Sequence, residues 1–238
     1  MKKTSTLALA GIFAAGVGPL HAQTVLQNEH ADIGIALEDG VWNLHIHDET
    51  HDIEYSPPSG PDGAILQVNA NALTMVSSDP LFSFLGTPGS PLWLLPNTQD
   101  PNLLFLGFGA EEIQPGQFVG DTFNMRLTGV SGPGQFTVFD YDSLGNPFVI
   151  MNTRDGLSAA DNFAGVPGAH SDLNWAFSQA GTYTVSFEAS GTLADGNVFT
   201  SSGPVDYTFQ VVPEPSTMAL FGSGLVGLFI WKRRRTAR

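Results

Sequence analysis

Between Gln23 and Val211 no segment sustains a 3.6-residue apolar period; short alternating or apolar runs recur instead, each closed by glycine, proline, asparagine or aspartate. Side chains two residues apart share one face of a strand, so a chain patterned this way buries its apolar residues in sheets. About ten strands are expected, near 31–37, 41–47, 64–73, 92–95, 103–108, 122–127, 135–141, 148–152, 183–189 and 205–211. Turn signals such as Asp39-Gly40, Pro57-Pro58, Gly132-Pro133-Gly134 and Leu144-Gly145-Asn146-Pro147 separate them. An all-β, antiparallel β-sandwich, immunoglobulin-like or Greek-key, fits that spacing. The sequence has no cysteine, so no disulfide closes the fold, and stability must come from the core or from a bound ion.

Charge divides the chain into three parts. Lys2 and Lys3 open it, Lys232, Arg233, Arg234, Arg235 and Arg238 close it, and only Arg126 and Arg154 lie between. Positions 23 to 212 hold 22 of the 23 acidic residues, a balance of −20. Such a surface repels nucleic-acid phosphates and anionic headgroups and attracts cations, which sets nucleic-acid binding aside. Residues 1–22 read as a secretory signal peptide: two lysines, a short alanine-rich apolar run from Leu7 to Val17, and Pro19 to Ala22 for cleavage. Residues 23–211 make the β-sandwich domain and residues 212–238 a sorting and anchoring segment. There Pro213, Glu214 and Pro215 precede an uncharged stretch from Ser216 to Trp231, expected as a hydrophobic anchor helix, and then a basic run that stays in the cytoplasm.

The order of those parts resembles the PEP-CTERM sorting signal. The resemblance implies processing by an exosortase near Pro213 to Pro215, in a Gram-negative-type bacterium that makes exopolysaccharide. It also implies transient anchoring in the inner membrane before the mature domain is delivered to the cell surface or extracellular matrix. The alternative is a plain single-pass anchor, and in either case the domain faces outward.

The stretch from His30 to Glu49 gathers histidines. Asp39-Gly40 between two alternating runs is a strong hairpin signal, because both central residues of a tight type I′ turn need positive φ. With that pair as the loop, Leu37 faces Trp42, Ile35 faces Leu44 and Ile33 faces Ile46 on one apolar face. On the other, Gly34 opposes His45, Asp32 opposes His47 and His30 opposes Glu49, with Cβ atoms about 4.5 to 5.5 Å apart. His45 and His47 point the same way and can reach one ion, at about 2.0 to 2.1 Å from nitrogen to zinc, in room that Gly34 leaves. The plainer reading is the solvated face of an amphipathic hairpin. Of the five histidines beyond residue 22, four fall between His30 and His51, and His51 is read as a loop residue. The fifth, His170, would close the site from a distant loop, with Asp172 fixing its imidazole tautomer. The expected ligand set is His30, Asp32, His45, His47, Glu49 and His170.

The segments His30-Ala31-Asp32-Ile33-Gly34, Glu38-Asp39-Gly40 and His45-Ile46-His47-Asp48 also resemble the choice-of-anchor M domain, related to the actinobacterial surface-anchored protein domain. Further matches are Val130 to Phe136, Asp155-Gly156-Leu157, His170 to Phe177 and Gly181-Thr182-Tyr183, covering most of positions 29 to 210. The resemblance implies a surface protein of zinc homeostasis, since relatives are associated with metal-uptake systems and with repression by the zinc uptake regulator. Relatives often carry His-x-His before Asn-Trp-Ala-Phe. Here Gly168 takes the first position and Ser171, Asp172 and Leu173 are inserted, so a ligand is missing or replaced by Asp172.

Other constellations are weaker. Glu111-Glu112 offers carboxylates, but adjacent strand residues point to opposite faces, so at most one joins a site and a strand-end charge pair is the plainer reading. Asp140 to Asn146 lacks the third acidic position and distal glutamate of a calcium loop and is read as a turn. Trp42, Trp93, Trp175 and Phe177 are expected in the core. No nucleophile elbow or HExxH motif is present in the domain. The expectation is a non-enzymatic, exported surface protein that binds zinc, with calcium less favoured. The alternatives are an acidic matrix protein that associates with exopolysaccharide through calcium bridges, and a zinc hydrolase with Glu49 as base.

Overall fold

A computed structural model describes residues 23–57 and 63–213 of the 238-residue chain. The expected signal peptide at 1–22 and the anchor helix, with Glu214 and Pro215, lie outside the described residues. In chain order the strands are β1 (Thr24–Leu26), β2 (His30–Glu38), β3 (Val41–Asp48), β4 (Ile53–Tyr55), β5 (Ala64–Val68), β6 (Leu73–Met75), β7 (Pro91–Leu95), β8 (Phe105–Gly109) and β9 (Phe123–Ser131). They continue as β10 (Phe136–Tyr141), β11 (Pro147–Asn152), β12 (Asn162–Gly165), β13 (His170–Asp172), β14 (Asn174–Phe177), β15 (Gly181–Thr192), β16 (Phe199–Ser201) and β17 (Val205–Val211). The described helices are short 3-10 turns, and no helix among the described residues is long and apolar enough to cross a membrane. The chain is all-β.

The strands form three sheets: β1-β5-β17-β15-β9-β12 with β16 on β15, then β11-β10-β14-β7-β6, then β13-β8-β2-β3-β4. The two smaller sheets both pack on the first. Phe108 of β8 meets Phe163 and Phe187 of the large sheet at ring centroid distances of 5.1 and 5.5 Å. Trp175 of β14 stacks on Phe209 at 6.0 Å, and Phe136 of β10 lies 6.2 Å from the same ring. Apart from the partly buried Phe163, these side chains are essentially fully buried. His170 to Phe177 stitches the smaller sheets together, because β13 pairs with β8 while β14 pairs with β10 and β7. Trp175 Nε1 locks the seam by donating to the Leu106 carbonyl at 2.8 Å.

Two expectations are corrected. The arrangement is not wholly antiparallel: β2–β8, β1–β5 and β5–β17 run parallel, and there are three sheets rather than the two of an immunoglobulin sandwich. Alternation marks a strand and its faces, whereas the direction of a partner far along the chain is a tertiary choice. The run expected at 64–73 breaks at Asn69, whose side chain accepts from the Asn71 N–H and caps a 3-10 turn at Ala70–Ala72. Trp93, Trp175 and Phe177 are buried in the core and Trp42 packs against it.

The β2–β3 hairpin has the expected register. Leu37 pairs with Trp42, Ile35 with Leu44, Ile33 with Ile46, Gly34 with His45 and Asp32 with His47. Asp39 and Gly40 both take positive φ, 50° and 79°, as a type I′ turn requires. The pairing ends at Ala31–Asp48, so His30 does not oppose Glu49; instead the His30 N–H donates to Thr50 Oγ1 at 2.9 Å. The second face is no solvated surface either, since Asp32 is 1% and His45 3% exposed.

Candidate metal centre

The chemistry gathers on the face of the third sheet that points away from the core. Along β8, Leu106 and Phe108 face inward and Gly107 and Gly109 face outward. In register, Asp172 of β13 pairs with Gly107, which pairs with Asp32 of β2, while Phe105 pairs with His30. The glycines leave β8 bare, so side chains of β13 reach across it to those of β2. A Cβ at Gly107 would stand 2.5 Å from the Ser171 carbonyl and 2.8 Å from Asp32 Oδ1. Only glycine allows this close approach.

Across that lane four donors converge: His30 Nε2, Asp32 Oδ2, His170 Nε2 and Asp172 Oδ1, all within 4.8 Å of one another. His170 to Asp32 is 2.9 Å, His170 to Asp172 3.6 Å, His30 to Asp172 3.5 Å and His30 to Asp32 3.8 Å. A four-coordinate ion with bonds of about 2.0 to 2.2 Å holds tetrahedral donors about 3.4 Å apart, close to these separations. Three buried atoms here, His30 Nε2, Asp32 Oδ1 and Asp172 Oδ1, have no hydrogen-bond partner. Unpaired buried polar atoms are costly and call for a partner.

The electrostatics match a site built for positive charge. The hydrogen bond to the Asp32 carboxylate holds the His170 imidazole up at about 9, against the opposing effect of burial and with help from the charges of Asp32, Asp172 and Glu111. Without an ion, His170 is therefore an imidazolium at neutral pH, donating Nε2–H to Asp32. Burial pushes the Asp172 carboxyl up from the ordinary carboxylate value, while His170 and His30 pull it down. The residue that pairs with the His170 ring is thus Asp32, and Asp172 stands beside it as a further donor.

The other residues of the expected set lie elsewhere on the same face. His45 and His47 are neighbours, with ring centroids 6.2 Å apart, but their nitrogens meet different carboxylates. His45 Nε2 lies 3.1 Å from Glu112 Oε1, and His45 groups with Glu54 and Glu112. His47 has Nδ1 3.0 Å from Glu49 and Nε2 3.6 Å from Asp52. The space above Gly34 holds no room for an ion, because the His45 ring fills it: a Cβ at Gly34 would stand 2.2 Å from His45 Nε2. His51 is a loop residue whose Nδ1 sits 2.8 Å from Asp48. Asp142 accepts the N–H groups of Leu144 and Asn146, so the Asp140 to Asn146 stretch is a turn.

Glu54 was not anticipated; Glu112 was weighed as a carboxylate donor but read as half of a strand-end charge pair, and Asp172 was expected to fix the His170 tautomer or to replace a missing ligand. Glu111 and Glu112 stand in a turn after β8, so strand alternation does not separate them and both line one cleft of about 330 Å³ with Asp32, His47, Glu49 and Glu54. The legible signal was the Gly107-x-Gly109 alternation, which marks a strand face cleared for other side chains.

Residues 211–235 match the PEP-CTERM protein-sorting motif. The chain is therefore an exported protein recognised by an exosortase-type sorting enzyme and processed at the membrane. No curated protein and no solved structure matches it. The choice-of-anchor M resemblance of positions 29 to 210 gains no support from these comparisons.

Proposed function

We propose that this chain is a non-enzymatic cell-surface protein that holds a zinc ion between His30, Asp32, His170 and Asp172. The observation that carries the reading is the set of four donor separations between 2.9 and 3.8 Å, near the edges of a zinc tetrahedron. Two imidazoles and two carboxylates form a donor set that zinc accepts. Four protein donors leave no open coordination position, which favours holding the ion over hydrolysis, where water takes the fourth place. Glu49, the base of the hydrolase alternative, sits against His47 instead.

The sorting signal suits such a role. Val212 is clamped by its own N–H to the Val68 carbonyl at 2.9 Å and by its carbonyl to Trp93 Nε1 at 3.0 Å, and Pro213 follows at once. Processing within Pro213 to Pro215 leaves every described strand intact.

The test is zinc content of the full chain, purified in detergent without a histidine tag and dialysed against micromolar zinc with excess magnesium. Zinc that is lost on His170→Ala supports the reading. No zinc, or zinc unchanged by both His170→Ala and Asp172→Asn, refutes it.

A further inference from the structure

On the same sheet, His45 presents a problem that the first centre does not solve. Its side chain is 4% exposed and neither ring nitrogen has a hydrogen-bond partner. Glu112 Oε1 is 3.1 Å from Nε2, but the contact lacks hydrogen-bond geometry. A buried imidazole left this way costs stability unless something else meets its lone pair. The ring is held in place, wedged over Gly34, whose hydrogen leaves the only space for it. One of its ring nitrogens, one Glu54 oxygen and one Glu112 oxygen lie within 4.8 Å of one another.

We propose that His45, Glu54 and Glu112 form a second site, for a hydrated divalent transition-metal ion. It shares no donor with the first: His170 reaches over β8 to Asp32, whereas the His45 ring lies over Gly34, two residues further along β2. Imidazole selects a transition metal over magnesium or calcium, and two carboxylates neutralise its charge. Three protein donors leave coordination positions for water, and the adjoining cleft of about 330 Å³ supplies the space. Asp32, Glu49, Asp52 and Glu111 also line that cleft, and none of its lining residues is a lysine or arginine, so it concentrates cations at the mouth of the site. The second ion is therefore the more exposed and exchangeable of the two.

The test uses the full chain, dialysed against micromolar zinc with excess magnesium, in three forms: unaltered, Glu112→Gln and His170→Ala. Glu112 is 41% exposed, so its substitution leaves the core untouched. Two zinc ions in the unaltered chain and one in each variant is the expected result. One ion in the unaltered chain, kept in Glu112→Gln and lost in His170→Ala, overturns the second site and leaves the first standing. One ion kept in His170→Ala and lost in Glu112→Gln upholds the second site and removes the first. Cobalt gives an independent readout: His170→Ala should show the weak visible bands of a water-bearing ion of higher coordination. Intense four-coordinate bands there overturn the hydrated site, as does zinc stoichiometry unchanged by Glu112→Gln.

Discussion

Zinc binding at the His30, Asp32, His170 and Asp172 centre should be strongly pH-dependent above neutrality, where an ordinary histidine site is flat. Zinc needs a neutral imidazole and must displace the proton that His170 shares with Asp32. With the His170 imidazole held at about 9, only about one ring in 100 is free at pH 7. The dissociation constant should therefore weaken about tenfold for each pH unit lowered from 9, and be about 100-fold weaker at pH 7 than at the plateau. A histidine at its ordinary value of about 6.5 would give a plateau from about pH 7.5 upward. Competition against a chelator of known proton affinity, between about pH 6.5 and 9 in the Glu112→Gln background, isolates this site. Calorimetry in two buffers of different ionisation enthalpy counts the protons, and about one should leave per zinc bound at pH 7. An affinity flat above pH 7, with no proton released, would refute the imidazolium–carboxylate pairing as the resting state of the site.

The same pairing acts on stability with the opposite sign. A histidine whose folded value is raised contributes fully below about 6.5 and loses that contribution as pH rises through about 9, so the melting temperature of the metal-free protein should fall across that window; a constant melting temperature would count against the pair. Gly34→Ala places a Cβ 2.2 Å from His45 Nε2, so denaturant titration should show a loss of about 1 to 3 kcal/mol and zinc analysis the loss of the second ion alone. Trp175→Phe removes the donor to the Leu106 carbonyl at the seam of the two smaller sheets and should cost about 1 to 3 kcal/mol by chemical denaturation, with a loss below half a kcal/mol arguing that water replaces the bond.

The hairpin was legible because its information is local. Asp39 and Gly40 fix the turn, the turn fixes the register, and the register fixes which of Ile33, Gly34, His45 and Ile46 share a face. The sorting signal at 211–235 was legible for a related reason, being a linear order of proline, apolar and basic residues. Strands as short as β4, β12 and β13 were not, since three or four residues are too few to show alternation. Yet β4 carries Glu54 and β13 carries His170 and Asp172.

The sequence by itself determined that the domain is all-β, that it carries a sorting signal, and that His30, Asp32, His45 and His47 share one strand face. Only the tertiary structure decided which of them meet. The parallel pairing of β2 with β8 sets Asp32 beside Gly107, and the antiparallel pairing of β8 with β13 brings His170 and Asp172 over the same bare strand. Those two long-range registers, and not the hairpin, divide the histidines, sending His30 to His170 and His45 to Glu112. Strand alternation is a property of neighbours in the chain, whereas the coordination of an ion is a property of neighbours in space, and here β8 and its two glycines connect the two.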